Sequence, residues 1–505
     1  MNQRLDAVVV GAGLGGLAAA RRLLAAGLRV AVFEAASHPG GTAYTFRRGG
    51  FDFPMGPLGF AGPALLDSRL RALGVEPPPA HRRNRYRLRA FGLDLPLSLP
   101  PAAEAEALAG LFPGEAASIR RFFRTVSLAD GAGAEEPAAP SADFLERLAL
   151  GEPLRRILGS LGTEEPYASL GLLAGMWRLM GLEGIWLPEG GPAGVCDRLA
   201  ASLAMVRGYP GAPVDSGKRG TLHLAARVSR ILVREGRAAG ILLADGQRVE
   251  APTVIANADF KTTFLGLLGE DDLPRSWRRR VEGARLTGSN LQVSLGVDAA
   301  RVDLGAFGEA ERIIARRPGG ETVRVDWSLP VVRPGDLAGS EMEIALWEGP
   351  GRSGGGEDRA ALVIRVAADH AHFARFRPSP GMRSGEYRPY KTALAEALVS
   401  QAEGWLPGLS RAVRVMDVAT PLTFQERGGR SAGAVAGWSW DHADFHAPAA
   451  RDLVRTPVRG LYMAGHQAAT ALMEGGVPTA FRTGILAAEC LLGGVPPVPG
   501  VSGEE

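Results

Sequence analysis

The chain has 505 residues, 46% of them hydrophobic and 22% charged, with a formal net charge of +3. That length can bury large cores and implies two domains, and so small a charge is no nucleic-acid footprint. Cys196 and Cys490 lie in no C-x-x-C, so they read as free thiols in a reducing compartment and argue against a redox-active disulfide. The first strand begins within a few residues, which leaves no signal peptide, and no uninterrupted apolar span reaches transmembrane length. The expected setting is cytoplasmic, either soluble or in peripheral contact with a membrane surface.

Leu5 and the run Ala7 to Val10 read as a short buried strand that Gly11 breaks. Gly11, Gly13 and Gly16 then make the G-x-G-x-x-G spacing. The first glycine permits the tight turn, the second lets backbone approach a pyrophosphate, and the third lets helix and strand pack closely. The helix that follows, with Leu14 in its first turn, has Leu17, Ala20 and Leu24 at helical spacing. Its free N-terminal amides and its dipole favour a diphosphate. A second strand, Leu28 to Phe33, ends at Glu34 and Ala35, where an acid is expected to hold the adenosine ribose hydroxyls. An acid there argues against a 2′-phosphate and so favours FAD or NAD over NADP. Gly40, Gly41 and Thr42 form a second glycine turn, too soon after Glu34 for an ordinary crossover helix.

The run GGTAYTFRRGGFDFPMGP, Gly40 to Pro57, resembles the extended FAD fingerprint of glutathione-reductase-type flavoproteins. More narrowly it resembles the phytoene desaturase and carotenoid isomerase family, to which retinol saturase is related. The resemblance implies an α/β fold. Its core would be a glutathione-reductase-type FAD-binding Rossmann domain, a parallel sheet plus β-meander, with an inserted α+β substrate domain. The FAD-binding parts are expected at 1–75, 185–287 and 413–492, the substrate-domain parts at 76–184 and 288–412, and a disordered tail at 493–505.

Ala64 to Leu73 reads as a short helix, and within the first insertion His81 to Leu99, with Arg85, Arg87 and Arg89 alternating with Tyr86 and Leu88, predicts a strand with one basic face. Such a face is ordinary solvated surface or a contact for anionic lipid headgroups. Ala102 to Leu182 is mainly helical, with a mobile loop at Gly131 to Ser141. Ser169 to Pro188 is apolar nearly all round. It reads as a buried helix, or as the wall of an apolar tunnel or a membrane-dipping element lined by Met176, Trp177, Met180 and Trp186.

Trp186 to Ala200 resembles the family's glycine turn back into the FAD domain. Thr221 to Ala225, Val228 to Glu235 and Ala239 to Leu243, with a turn at Asp245-Gly246 before Val249, predict a β-meander. The resemblance gives Val228 backbone contacts to the adenine end of FAD and places Asn257 and Asp259 near the cofactor. From Gly288 to Arg377 period-two segments predict an antiparallel sheet over the flavin: Asn290 to Leu295, Thr322 to Trp327, Met342 to Leu346 and Ala361 to Val366. Gly349 to Arg359 reads as a flexible loop and Lys391 to Glu403 as a helix. His370 and His372 have no acidic or cysteine partners at metal spacing, so no metal is expected.

The C-terminal segments Ala419 to Trp440 and Arg459 to Leu492 again resemble the family. Gly465 ends the last strand, and Glu474, Gly476, Val477 and Pro478 lead into a helix whose N-terminus the resemblance aims at the isoalloxazine, with the amides of Gly476 and Val477 reaching a ring carbonyl. Two departures stand out: His466 replaces an aspartate frequent in the broader class, and Met473-Glu474 replaces a proline-containing turn.

No nucleophile–base or metal set is legible, and a flavin needs none. The resemblance implies hydride transfer between a hydrophobic polyene or isoprenoid and flavin N5 in a dry tunnel. Trp438, Trp440, His466 and Glu474 are expected at its inner end, with a quinone or oxygen as electron acceptor. Desaturation is the first reading, and cis-trans isomerisation and retinol-saturase-like reduction stay open. So do a flavin amine oxidase, although Lys218, Lys261 and Lys391 sit in no flavin-facing motif, and a non-enzymatic prenyl-lipid carrier like the GDP-dissociation inhibitors.

Overall fold

The computed structural model describes residues 4–128, 139–162, 166–207, 219–316, 325–348, 358–438, 453–469 and 476–493. Six parallel strands form the first sheet, in the order Leu461–Met463, Val254–Ala256, Ala7–Val10, Val30–Phe33, Gly220–Leu224, Ala204–Arg207. The central strands are buried on both faces, which is why AVVV and VAVF show no alternation. Helix Leu14–Ala25 covers one face and packs on the C-terminal helix Gly476–Leu492. Their approach is set by glycines: a Cβ on Gly484 would lie 2.1 Å from the Gly15 carbonyl oxygen. Arg22 and Glu489 pair across the same seam at 2.5 Å.

A second sheet of seven strands runs Val413–Ala419, Ser289–Asp298, Arg359–Ala368, Met342–Glu348, Arg312–Ala315, Tyr86–Ala90, Leu93–Pro96. Leu291, Val293 and Leu295 with Leu362 and Ile364 enter a core beneath helix Tyr387–Ala402. The opposite face carries Gln292, Ser294, Glu343 and Arg365, and it meets the hairpin Thr45–Arg48/Phe51–Pro54 through Phe51 and Phe53 against Ala345, Ala361 and Val363. A third core gathers the helices Pro101–Leu111, Ala116–Leu128, Ser141–Arg147, Glu152–Ser160 and Leu170–Arg178.

Several expectations change. Gly220–Leu224 belongs to the parallel sheet and not to the meander, because it pairs with Val30–Phe33 and is buried on both sides. The meander is Val228–Arg234, Arg237–Leu243 and Arg248–Glu250. The edge strand Ala204–Arg207 was not foreseen. His81 to Leu99 is not one strand. His81–Asn84 pairs with Ile185–Pro188, whereas Tyr86–Ala90 and Leu93–Pro96 fold as a hairpin about Phe91 and Gly92, both at positive φ. The second sheet is mixed, since Arg312–Ala315 runs parallel to Tyr86–Ala90. Val413–Ala419, assigned above to the 413–492 unit, pairs instead with Ser289–Asp298. Val325 to Trp327 is not a strand, and Thr322 to Arg324 lie outside the described residues, as do most of the two expected loops and the tail.

The basic stretch is largely neutralised. Arg82 pairs with Glu311 at 3.0 Å, Arg85 with Glu309 at 3.0 Å, and Arg87 and Arg89 share Asp94 at 2.8 and 3.2 Å. Helix Leu170–Arg178 is core: the Trp177 indole stacks edge-on against Phe122 and Phe123 and donates to the Leu158 carbonyl at 2.9 Å. No helix among the described residues is long and apolar enough to cross a membrane.

Candidate functional site

Gly11 turns the chain at φ +96°, a conformation glycine adopts without penalty. A Cβ on Gly16 would sit 2.1 Å from the Gly11 carbonyl oxygen, so the third glycine does permit close packing. Asn257 is what closes the turn from the neighbouring strand. Its amide donates to Val10 at 2.8 Å, and its side chain would obstruct a Cβ on Gly13, Gly15 or Gly465. Helix Leu14–Ala25 has no side-chain cap and no acid in its first turn, the state in which N-terminal amides receive an anion. Glu34 Oε2 accepts from the Ala12 amide at 2.7 Å and Oε1 from the Ala36 amide at 2.8 Å, which spans Ala35 and ties the second strand to the glycine turn.

The second turn sits directly on the first. Gly40 (φ +109°) donates to the Ala12 carbonyl at 2.9 Å and bridges to Gly13, with Gly41 (φ +56°) following. Thr42 Oγ1 accepts from Arg430 Nη2 at 2.7 Å. The chain then returns as a strap, Pro54 to Leu58, between this cradle and the second sheet. Gln292 Nε2 donates to the Pro54 carbonyl at 3.1 Å, Arg365 Nη2 to that of Gly56, and Arg312 Nη2 to that of Leu58. Pro57 is thus flanked by two carbonyls held by arginines.

The C-terminal parts join the same centre. Gly465 (φ +99°) donates its amide to Thr483 Oγ1 at 3.1 Å. His466 Nε2 is buried without a hydrogen-bond partner among the described residues. Burial, and secondarily the Arg430 guanidinium, lowers its pKa to about 3, so the imidazole is neutral at pH 7. That state suits an acceptor and does not suit a proton donor. Asp259 is buried and committed locally, accepting from Thr262 N at 2.9 Å, Ser431 N at 3.1 Å and Ser431 Oγ. It anchors the Arg430 segment. Trp438 packs edge-on against Phe260 and donates to the Gln467 carbonyl at 3.0 Å, a core role beside His466. Val228 is buried at the start of the meander. Gly476, Val477 and Pro478 open the C-terminal helix. Trp440 and Glu474 lie outside the described residues, so neither is placed.

Cys196 is buried and its thiol pKa is pushed up to about 12 by burial. His370 bonds Gln425 at 3.0 Å, and His372 lies between the Trp327 carbonyl and the Tyr390 hydroxyl. Lys261 and Lys391 are tied to the Glu282 and Val418 carbonyls.

Sequence reasoning missed the arginines. Arg365 and Arg430 each have a pKa lowered to about 10 by burial, yet both stay charged at neutral pH. Arg312 is fully buried. The available signal was an arginine inside an otherwise apolar strand, as in Arg359–Ala368. Periodicity reports which face such a residue takes, but not what it meets there.

An uncapped helix behind a glycine turn, closed by a strand-end acid and a second glycine turn, defines a dinucleotide-binding α/β protein. Residues 9–71 match the NAD(P)-binding Rossmann-like domain. The chain is similar to prolycopene isomerase 1 of an Oncidium hybrid cultivar, 28% identical over 59% of this chain and 55% of the isomerase. It therefore spans little more than half of that relative's length. It is also similar to the hydroxyneurosporene desaturase of Rhodobacter capsulatus, 26% identical over 97% of this chain and 98% of that one. In fold it is like cyclohexylamine oxidase from Brevibacterium oxydans, with a TM-score of 0.58, 18% identity, and coverage of 97% and 99%.

Proposed function

We propose that the protein is an FAD-dependent oxidoreductase acting on carbon–carbon bonds of a polyene or polyisoprenoid, with desaturation by hydride transfer as the first reading. The observation that carries the proposal is the full-length similarity to a carotenoid desaturase, which takes in the second sheet as well as the nucleotide turn. The residues present fit FAD. The open helix terminus behind Gly13 suits a diphosphate, and each Glu34 oxygen keeps a lone pair beyond its backbone bond for a ribose hydroxyl. Gly40 to Thr42 would extend the cradle, and Gly476 and Val477 would supply amides at its far end.

Bound FAD would supply the hydride acceptor or donor. The chain's own part is to hold and to dry. The Pro54 to Leu58 strap fixes the spacing between cradle and sheet, and the neutral His466 offers an acceptor nitrogen without a competing positive charge. The isomerase and saturase readings use the same cradle. Lys261 and Lys391, tied away from it, give the amine-oxidase reading no support, Lys218 lies outside the described residues, and the shared fold by itself decides nothing about substrate.

Purified protein is expected to carry a yellow flavin spectrum, and Gly13→Val to lose it. Retention of flavin at the wild-type level in Gly13→Val would refute the pyrophosphate assignment, and colourless wild-type protein would favour a lipid carrier. Anaerobic incubation with phytoene, a poly-cis-lycopene and retinol, reading products and flavin spectrum together, separates the three reactions.

A further inference from the structure

Arg312 is 1% exposed, and its Nε and Nη1 find no hydrogen-bond partner among the described residues; only Nη2 is used, on the Leu58 carbonyl. Among the described residues neither Arg312 nor Arg365 makes an ion pair, in contrast to neighbouring Arg316, which has Glu341 at 3.5 Å. A guanidinium withdrawn from water without a counter-charge is expensive to keep. Sheet register shows how the cluster is built: Arg312 lies opposite Tyr86 and Ala345, and Arg365 lies opposite Gln292 and Glu343. Both arginines reach the strap, at the carbonyls on either side of Pro57. Gln292 Oε1 takes Arg365 Nε at 2.8 Å, which leaves Nη1 of Arg365 uncommitted among the described residues. The Tyr86 phenol, its pKa raised by burial, stays protonated as a donor. Glu343 is the acid facing the pair. Arg430 lies further along, and Asp259 is its acid. Two guanidinium groups against one carboxylate leave one positive charge uncompensated.

We propose that Arg312, Arg365 and Tyr86 form a subsite for a single carboxylate, so that the substrate is a polyene or isoprenoid with an acidic terminus rather than a plain hydrocarbon. This rests on the proposed polyene oxidoreductase function, with the substrate held between the cradle and the second sheet. A hydrocarbon would leave the buried charge unanswered, whereas a carboxylate pairs with a guanidinium through two parallel N–H donors.

The test uses flavin-loaded full-length protein and an acid/alcohol pair of one polyene, all-trans-retinoate and all-trans-retinol, followed by flavin absorbance. Retinoate is expected to bind about ten-fold or more tightly than retinol, the scale of a charge-assisted hydrogen bond. Arg312→Met and Arg365→Met are each expected to remove that preference, lowering retinoate affinity about ten-fold more than retinol affinity, and Arg312→Lys to restore part of it. Equal wild-type affinities, no binding of retinoate, or a preference that survives both methionine variants overturns the subsite. Flavin loss in a folded methionine variant also overturns it, because the arginines would then serve the cofactor. If one variant fails to fold, the other reads the same outcome. Wild-type protein without flavin fails the oxidoreductase reading before any ligand is added.

Discussion

Gly16 shows how little room the nucleotide turn leaves. A methyl group there would lie 2.1 Å from the Gly11 carbonyl oxygen, and backbone cannot step aside as a flexible side chain can. Gly16→Ala is expected to lose bound flavin and about 1–3 kcal/mol of stability, by overpacking. Flavin content and thermal melting measure the two separately. His466 makes a second prediction at this scale. With a folded pKa near 3 against an ordinary 6.5, its unfolded form binds more protons between those values, so stability falls as pH drops below 6.5. Between pH 7.5 and pH 5 the loss is about 2 kcal/mol, from 1.36 kcal/mol per pH unit below the unfolded pKa. His466→Gln removes it. A melting temperature with the same pH profile in wild type and variant would discount the buried neutral imidazole.

Among the elements, the seam between helices Leu14–Ala25 and Gly476–Leu492 carries the two ends of the chain into one cradle. Gly484→Ala would place its methyl 2.1 Å from the Gly15 carbonyl oxygen. The expected result is a lower melting temperature together with weaker flavin retention, since forcing the helices apart moves the turn as well. Retention unchanged in a destabilised protein would mean that the cradle does not depend on this seam. Helix Pro101–Leu111 contains a different stress. Glu104 is 2% exposed, its Oε2 has no partner among the described residues, and burial raises its pKa to about 8. The folded carboxyl therefore holds its proton, and stability is lost as pH rises from 4.5 toward 8. Glu104→Gln is expected to add a few kcal/mol at pH 8 and almost nothing at pH 4, a difference that denaturant titration at the two pH values resolves.

At the scale of the molecule, the segment that suggests a membrane contact is core at Trp177 and exposed at Leu182. In the 81–89 stretch Arg82, Arg85, Arg87 and Arg89 are paired with acids, and Arg83 donates to the Met180 and Gly181 carbonyls. Leu111 and Leu182 are each 52% exposed. We therefore expect liposome flotation, if it occurs, to fall in the double variant Leu111→Ser with Leu182→Ser and to survive polar replacement of Trp186. Unchanged flotation of the leucine variant would remove this surface from consideration.

The nucleotide turn was legible because its chemistry is local. Glycine spacing, a following helix and a strand-end acid lie within thirty residues, and each has one geometric reason to be there. The second turn at Gly40 and Gly41 was legible for the same cause. Strand partners were not. Gly220–Leu224 was assigned to the meander because a short β-rich run does not state whether one or both faces are covered, and only pairing with Val30–Phe33 decided it. Likewise the expected unit at 413–492 includes Val413–Ala419, which pairs with Ser289–Asp298, a contact across more than a hundred residues. By itself, the sequence determined a dinucleotide cradle and a second, β-rich domain, because propensity, spacing and burial patterns are short-range. The tertiary structure alone decided what faces that cradle. Arg312, Arg365 and Arg430 come from separate segments, and only the paired strands and the strap around Pro57 bring their charges together, with Arg312 fully buried.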